Sequence, residues 1–225
     1  MPDDNIDARW VAVDALFDDL LIPRDDALGA ALRSSTDAGL PQIQVAPNQG
    51  KLLHLMARAI SARRVLEIGT LGGYSTIWLA RALPPGSSLI TLEIDQTHAD
   101  VARANVDRAG VGDRVEIRVG RALETLQRLQ AEHAGPFDLV FIDADKASTA
   151  AYFDWGVRLG HAGTLIVVDN VVRHATILDS DSDDPNVRGM LAFNAALRAD
   201  DRVSATVIQT VGVKGYDGFA LALVL

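Results

Sequence analysis

The pattern of apolar and polar positions changes character near residue 62 of this chain. Before that point, apolar and acidic positions recur at helical spacing, which predicts helices near residues 5–21 and 24–38. A third helix is predicted from Pro47 through residues 52–60, since proline is tolerated in the first turn of a helix. From Arg64 onward, short β-branched runs alternate with amphipathic stretches. This alternation predicts consecutive strand–helix units and a parallel sheet with helices on both faces.

The second part of the chain supplies seven predicted strands. Helices are expected at residues 75–83, 96–109, 122–133, 147–160 and 186–199. The last two strands are joined by the short segment GVKGYDG, so they are expected to pair antiparallel. We therefore predict a single α/β domain over residues 1–225, with a mostly parallel sheet of about seven strands and one antiparallel strand. The strands are expected at residues 65–69, 88–94, 115–120, 137–144, 163–170, 203–211 and 218–225.

Composition narrows the class of protein. The 225 residues are 48% hydrophobic and 23% charged, as in a globular protein with a sizeable core. The net charge of −9 argues against nucleic acid or an anionic membrane as a main partner, because both require a basic patch. The absence of cysteine excludes disulfides, thiolate zinc sites and cysteine nucleophiles. The start, MPDDNIDARW, lacks the apolar core of a signal peptide, so we expect a cytoplasmic protein without a membrane partner.

Acidic residues follow two strands that are predicted to be buried on both faces. Asp143 directly follows the apolar part of FDLVFIDADK, and Asp169 and Asn170 end the run GTLIVVDN. In an open parallel sheet, ligands bind outside the carboxyl ends of the strands, so these three side chains would converge if the strands are neighbours. Two carboxylates and an amide oxygen form a hard ligand set that suits Mg²⁺, Mn²⁺ or Ca²⁺. The sequence therefore predicts a divalent-cation site at this edge.

Lys146, three residues after Asp143, is a candidate for acid–base chemistry. The chain has 18 Arg and three Lys, so arginine is its ordinary surface cation. Arginine does not release its proton in a protein, whereas a lysine can when a nearby cation or burial favours its neutral form. The alternative interpretation is a chance surface lysine in a loop.

A glycine-rich turn in LEIGTLGGYS predicts a cofactor site. Glycines such as Gly69 let the backbone approach a ligand closely, but the dinucleotide fingerprint GxGxxG is absent. Glu67, just before the turn, would repel a pyrophosphate and attract a sulfonium, which favours S-adenosylmethionine over NAD. Glu93 ends the next strand, where an acid can accept both ribose hydroxyls. A plain tight turn and a surface carboxylate are the alternative interpretations of the two features.

Taken in order, these motifs resemble those of class I S-adenosylmethionine-dependent methyltransferases. More narrowly, they resemble the cation-dependent O-methyltransferases related to the caffeoyl-CoA and catechol enzymes. The resemblance runs from about Gln42 to the C-terminus. It is carried by QVAPNQGKLL (44–53), VLEIGTLGGYS (65–75), LITLEID (89–95), AGVGDRVEIRVGRA (109–122), FDLVFIDADK (137–146) and VVDN (167–170).

The resemblance implies a Rossmann-like methyltransferase fold and a role for each matching residue. Metal ligation would fall to Asp143, Asp169 and Asn170, and Lys146 would act as general base beside Asp143. Cofactor contacts would come from Val45, Glu67, Gly69, Ser75, Glu93, Ala122 and Asp143. It also implies a homodimer, in which the N-terminal helices of residues 1–62 form part of the substrate and dimer region.

The implied reaction moves a methyl group from S-adenosylmethionine to a hydroxyl of a catechol-like phenol. One departure concerns the substrate side, because Thr149 stands where many relatives have tyrosine in DADKxxY. Two alternatives stay open at this point. One is an NAD(P)-dependent oxidoreductase on a similar sheet, and the other is a non-catalytic binding protein that retains the fold.

Overall fold

A seven-stranded sheet forms the centre of the structure, a computed structural model that describes residues 7–225. The strand order is β3-β2-β1-β4-β5-β7-β6; β7 alone runs antiparallel, pairing with both β5 and β6. This confirms the predicted mostly parallel sheet with one antiparallel strand. The strands are β1 (Arg64–Ile68), β2 (Ser88–Glu93), β3 (Val115–Val119), β4 (Leu139–Ile142), β5 (Leu165–Asp169), β6 (Val203–Gly212) and β7 (Gly215–Val224).

Eight α-helices accompany the sheet among the described residues, close to the predicted positions. The predicted start of the first helix at residue 5, and most of the acidic N-terminal segment, lie outside the described residues. The helices are α1 (Ala8–Leu21), α2 (Asp26–Asp37), α3 (Pro47–Ala59), α4 (Tyr74–Ala82), α5 (Gln96–Arg108), α6 (Ala122–Ala131), α7 (Thr149–Arg158) and α8 (Pro185–Ala199).

The helix starts follow the local sequence. Pro47 and Pro185 occupy the first turns of α3 and α8, where a missing N–H has no cost. The Asp95 carboxylate caps α5 by accepting from the backbone N–H groups of Thr97 and His98 at 2.7 and 3.1 Å. Asp95 is thus the capping acid, which leaves Glu93 free for another role.

The sheet separates two apolar layers, and single strands contribute to both. Val140 and Ile142 of β4 pack with Phe153 of α7, whereas Leu139 and Phe141 pack on the opposite side with the layer that contains α3 and α4. All four β4 residues are at most 1% exposed. This alternation, expected for a strand covered on both faces, fixes the register of β4 and therefore the place where its polar continuation emerges.

The β6–β7 hairpin differs from the prediction at its turn. The ladder continues to the pair Gly212 and Gly215, so the turn contains only Val213 and Lys214. Tyr216, predicted in the turn, instead pairs with Val211 across the strands. The longer ladder is possible because Gly215 has φ +88°, a conformation that glycine adopts without strain.

Within residues 7–225, none of the helices combines the length and the apolar character that a membrane crossing requires.

Candidate active site

Two adjoining cavities open at the carboxyl ends of the strands, on both sides of the point where the strand order reverses between β1 and β4. The first, here called the glycine-turn cavity, measures about 650 Å³ and is lined by Gly69, Leu71, Ser75, Glu93, Ala122 and Tyr152 among others. The second, the hairpin cavity, measures about 670 Å³ and is lined by Asp14, Asp169, Asn170, Arg173, His174 and Lys214 among others. Val45, Asn170 and Arg173 line both. Both volumes are typical of small-molecule sites.

Gly69 allows the turn after β1 to approach the backbone at the end of β4 closely, at the wall of the glycine-turn cavity. Its φ is +103°, and a Cβ added there would lie 2.0 Å from the carbonyl oxygen of Asp143. The turn after β1 therefore packs directly against the end of β4, and any side chain at residue 69 would separate them. The predicted requirement for glycine follows here from a contact with protein backbone.

We expect Gly69→Ala to destabilise the protein more than Gly163→Ala does. Gly163 is a matched control, since its φ is +95° and a Cβ there would meet nothing within 4 Å. The control carries only the backbone strain of a positive φ, about 1–3 kcal/mol. Gly69→Ala adds overpacking at Asp143, about 1–3 kcal/mol more in the free energy of unfolding measured by urea titration. Equal losses would show that the Gly69 turn tolerates a side chain.

Glu67 does not line either cavity. It is fully buried, and its two carboxylate oxygens accept hydrogen bonds from the Ser75 and Thr76 hydroxyls at 2.6 and 2.5 Å. Burial raises the pKa of Glu67 to about 7, although both hydrogen bonds favour the ionised form. Glu67 is not part of the cavity wall, so its attraction to a bound sulfonium stays a prediction. Glu67 instead orients Ser75, whose side chain does reach the cavity.

Glu93 lies at the end of β2, where the prediction placed it. Its carboxylate accepts from the backbone N–H of Leu71 at 2.8 Å and from those of Ile94 and Asp95 at 2.9 and 3.0 Å. The Nδ1 atom of His98 lies 3.6 Å from Oε1. These contacts hold the carboxylate in one orientation beside the cavity, while a carboxylate keeps further acceptor capacity for a ligand.

The far end of the glycine-turn cavity is formed by Ala122, at the start of α6, and by Tyr152 of α7. The Tyr152 hydroxyl donates to Oδ2 of Asp145 at 2.5 Å. Burial and this carboxylate raise the pKa of Tyr152 to about 12. Tyr152 is thus both buried and part of the cavity wall. Thr149, at the position of the family tyrosine, is 1% exposed.

Asp143, Asp169 and Asn170 meet where the two cavities adjoin. Asp143 follows β4 and lines the glycine-turn cavity, Asp169 ends β5 and lines the hairpin cavity, and Asn170 lines both. The Asp169 carboxylate accepts from Nε2 of Gln49 and from the backbone N–H of Asn170, at 2.7 and 2.8 Å. Burial, and then the Asp143 carboxylate, raise the pKa of Asp169 to about 7. A buried carboxylate facing another is stabilised by a cation, so the donor chemistry fits a divalent ion.

The set reaches three ligands only when the Asn170 amide is counted. Across residues 7–225, no group of three or more His, Cys, Asp or Glu side chains is arranged to hold a metal. The candidate site is therefore built from oxygen donors with two negative charges. Such a set favours Mg²⁺, Ca²⁺ or Mn²⁺ over zinc, which prefers nitrogen and sulfur ligands.

Lys146 is buried beside these acids, contrary to the alternative of a chance surface lysine. Its Nζ donates to Oδ1 of Asp143 at 2.9 Å and to the carbonyl oxygen of Asp169 at 3.3 Å, and the residue is 8% exposed. Lys146 is the first residue of a short 3₁₀ turn, Lys146–Ser148. Asp145 caps this turn, because its carboxylate accepts from the backbone N–H of Ser148. The ammonium is thus fixed at the junction of the two cavities.

Among the cavity residues that the sequence prediction missed are Tyr152, His98, Arg173 and Lys214. His98 and Tyr152 lie on helices whose apolar pattern gives no sign of a ligand. Arg173 and Lys214 are far apart in sequence and line the same cavity because β7 pairs with both β5 and β6. A signal was available for Lys214, since it is one of three lysines in an arginine-rich chain.

Comparison with known proteins gives a consistent result over nearly the whole chain. The model of the O-methyltransferase family matches residues 25–224. A catechol O-methyltransferase of Niastella koreensis is 54% identical over 213 residues, which cover 95% of this chain and 96% of that protein.

Two solved structures resemble this chain in both sequence and fold. The O-methyltransferase of Bacillus cereus in complex with SAH is 51% identical, with a TM-score of 0.95 over 96% of this chain and 99% of that one. The O-methyltransferase TomG of Streptomyces achromogenes, in complex with SAM, is 49% identical, with a TM-score of 0.93 over 96% of this chain and 97% of that one.

Proposed function

Since the chain belongs to the O-methyltransferase family, we propose that it methylates one hydroxyl of a catechol-like phenol and that a divalent cation assists the reaction. Its S-adenosylmethionine-dependent O-methyltransferase activity follows from the family and from relatives at about half identity. Family membership also sets aside the nicotinamide-dependent and non-catalytic alternatives. The substrate class, the cation and the roles of individual residues are the proposal.

The observation that carries the proposal is the junction of the two cavities. One cavity contains the glycine turn and Glu93, and the other is open to a second molecule. Asp143, Asn170 and Lys146 lie on the wall of the first, and Asp169 and Asn170 on the wall of the second. Two reactants placed in adjoining cavities would meet at the residues best suited to ionise a hydroxyl.

We assign the glycine-turn cavity to the cofactor. Glu93 would accept hydrogen bonds from the ribose hydroxyls, and Gly69 and Ser75 would border the amino-acid part with Val45. The backbone at Ala122 would meet the adenine edge. Asp143 would serve both the cofactor side and the cation, while Glu67 acts through Ser75 from below the surface.

The cation would be held by Asp143, Asp169 and Asn170. When bound, S-adenosylmethionine supplies an activated methyl group and the cation supplies a Lewis acid for the phenol. Lys146 would take the hydroxyl proton at Nζ, with Asp143 holding that nitrogen in place. Gln49 and the Asn170 backbone orient the Asp169 carboxylate. The protein itself contributes alignment of the two reactants across the junction.

Vicinal hydroxyls are expected to distinguish good substrates from poor ones. Catechol offers two adjacent oxygens to one cation, whereas resorcinol offers them too far apart, so catechol should have at least about a tenfold higher kcat/KM, the equivalent of one 1.4 kcal/mol interaction. Release of S-adenosylhomocysteine with Mg²⁺ present measures both rates. Equal rates for the two isomers would contradict the catechol assignment.

We also propose that the protein forms a homodimer through α1 and β6. No residue of α1 is buried, and the apolar side chains of Leu16, Leu20 and Leu21 are each more than half exposed. The edge strand β6 likewise exposes Val207, Ile208 and Val211. Apolar surface of this extent is typical of an interface. Light scattering should give about twice the chain mass of 24.1 kDa, and Leu20→Glu should shift the protein towards monomer.

A further inference from the structure

A fully buried amide, Asn105 of α5, contacts the glycine turn, residues 69–73 between β1 and α4. Its Nδ2 group donates to the carbonyl oxygen of Gly72 at 2.9 Å. Its Oδ1 atom accepts from the Ser34 hydroxyl of α2 at 2.7 Å and from the Arg108 guanidinium at 2.6 Å. Asn105 therefore joins the turn to α2 and α5, and the proposed chemistry does not use it.

The glycine turn contains strained backbone at the wall of the cofactor cavity. Leu71 lines the cavity and has φ +49°, in the left-handed region that leucine rarely adopts. Gly73 follows with φ +79°, and its backbone N–H donates to the carbonyl oxygen of Thr70 at 2.9 Å. Strained backbone persists only where the surrounding structure enforces it. The conformation of the turn therefore depends on its neighbours.

Two helices pack directly against this turn. A Cβ added at Gly72 would lie 2.1 Å from the Ser35 hydroxyl of α2, and one added at Gly73 would lie 3.3 Å from the Cβ of Ala102 in α5. Such packing limits how far the turn can move, but it does not determine where its peptide groups point. The hydrogen bond from Asn105 to the Gly72 carbonyl does so, because hydrogen bonds are directional.

The same turn holds the acid that we assign to the ribose. Leu71 donates its backbone N–H to Oε2 of Glu93 at 2.8 Å. Only the backbone of Leu71 and Gly72 separates this N–H group from the carbonyl that Asn105 binds. Rotation of that carbonyl away from Asn105 would therefore displace Leu71 in the cavity wall and the N–H group that orients Glu93.

We propose that Asn105 is a positioning residue of the cofactor site, which holds the glycine turn, and through it Glu93, in the conformation that binds S-adenosylmethionine. The proposal rests on the assignment of the glycine-turn cavity to the cofactor in the proposed function. A buried amide bonded at both its nitrogen and its oxygen suits this role, because hydrogen bonds are strong in the interior and costly to lose. Since Ser34 orients the amide, α2 becomes part of the support of the cofactor site.

Asn105→Leu removes the amide and keeps a side chain of similar size. Calorimetric titration with S-adenosylhomocysteine should give a Kd about tenfold higher or more, as when the binding-competent conformation falls to about a tenth of the population. With catechol and Mg²⁺, KM for S-adenosylmethionine should rise by a similar factor. The kcat at saturating S-adenosylmethionine should stay within about threefold, because the variant leaves the reacting groups in place.

Thr164→Val is the matched control for the loss of a buried polar group. Thr164 is fully buried, and its hydroxyl accepts from the backbone N–H of His161 at 2.8 Å and donates to the carbonyl oxygen of Phe137 at 2.7 Å. It directly precedes β5, at the opposite end of that strand from Asp169. Urea titration should show a loss of stability in both variants, whereas the Kd of Thr164→Val should stay within about twofold.

A second variant, Asn105→Asp, removes the donor alone. Its carboxylate can still accept from Ser34 and Arg108, and the adjacent guanidinium keeps it ionised, so no hydrogen is left for the Gly72 carbonyl. The Kd for S-adenosylhomocysteine should rise as it does in Asn105→Leu. This variant decides the question if the leucine variant does not fold, and an unchanged Kd in it overturns the proposal.

Glu93→Ala distinguishes this inference from the assignment on which it rests. An unchanged Kd in Glu93→Ala overturns the assignment of Glu93 to the ribose and the route through Glu93 with it. If Glu93→Ala weakens binding but Asn105→Leu does not, or if Thr164→Val weakens it equally, the inference alone is overturned. In the double variant, the two losses should combine to less than their product, since they share one route. A full product would show that Asn105 does not act through Glu93.

Discussion

Lys146→Arg should lower kcat for a simple catechol by about 10²–10⁴, the usual contribution of a general base. Arginine retains the positive charge beside Asp143 but does not accept a proton. If the role of Lys146 is to take the hydroxyl proton, charge alone will not restore the rate. The measurement is kcat at saturating substrate and S-adenosylmethionine, with cofactor affinity determined in parallel.

A substrate that is already ionised separates this role from simple positioning. A nitrocatechol loses its proton near neutral pH without help, so the deficit of Lys146→Arg should largely disappear with it. Lys146 is buried, and the larger arginine could disturb the junction, which Lys146→Met tests with an uncharged side chain of similar length. An equal loss on both substrates would refute the base and indicate that Lys146 maintains the geometry of Asp143.

Removal of divalent cations should suppress turnover at least about 100-fold, since Lewis-acid stabilisation of a developing oxyanion is worth several kcal/mol. The physical reason lies in the donor set, where Asp169 is buried and faces Asp143. EDTA followed by dialysis, then addition of Mg²⁺, Mn²⁺ or Ca²⁺, measures the loss and the recovery.

The matched variant for this experiment is Asp169→Asn. It keeps an oxygen donor and the approximate shape but removes one charge, so it should require a higher Mg²⁺ concentration for half-maximal rate. Asp145→Asn is the control, because that carboxylate contacts Tyr152 and the 3₁₀ turn and belongs to no proposed metal ligand set. Full activity in metal-free protein would remove the cation from the mechanism.

The ends of the parallel strands could be predicted from sequence because local pattern determines them. A buried β-branched run identifies β4, and the residue after it must lie at the edge of the sheet, so Asp143 followed from the run alone. The same reasoning located Asp169, Glu93 and Gly69. In each case the chemistry is adjacent in sequence to the strand that positions it.

Features that depend on distant pairing were not predictable. The hairpin cavity requires β7 to lie between β5 and β6, and Asp14 of α1 to reach the turn 199 residues away. Glu67 illustrates a second limit, since its pattern fits a ligand contact and the Ser75 and Thr76 hydroxyls equally well. Only the orientation of α4 decides between them.

The double-sided packing of β4 has a consequence for how such a protein diversifies. Inserting or deleting one residue in β4 would exchange its two buried faces and move Asp143 at the same time, so stability and chemistry would be lost together. The turn of Val213 and Lys214 does not combine these two roles, because its side chains belong to neither core layer. Substitutions at the hairpin tip can therefore accumulate over evolution without disturbing either core layer or the position of Asp143.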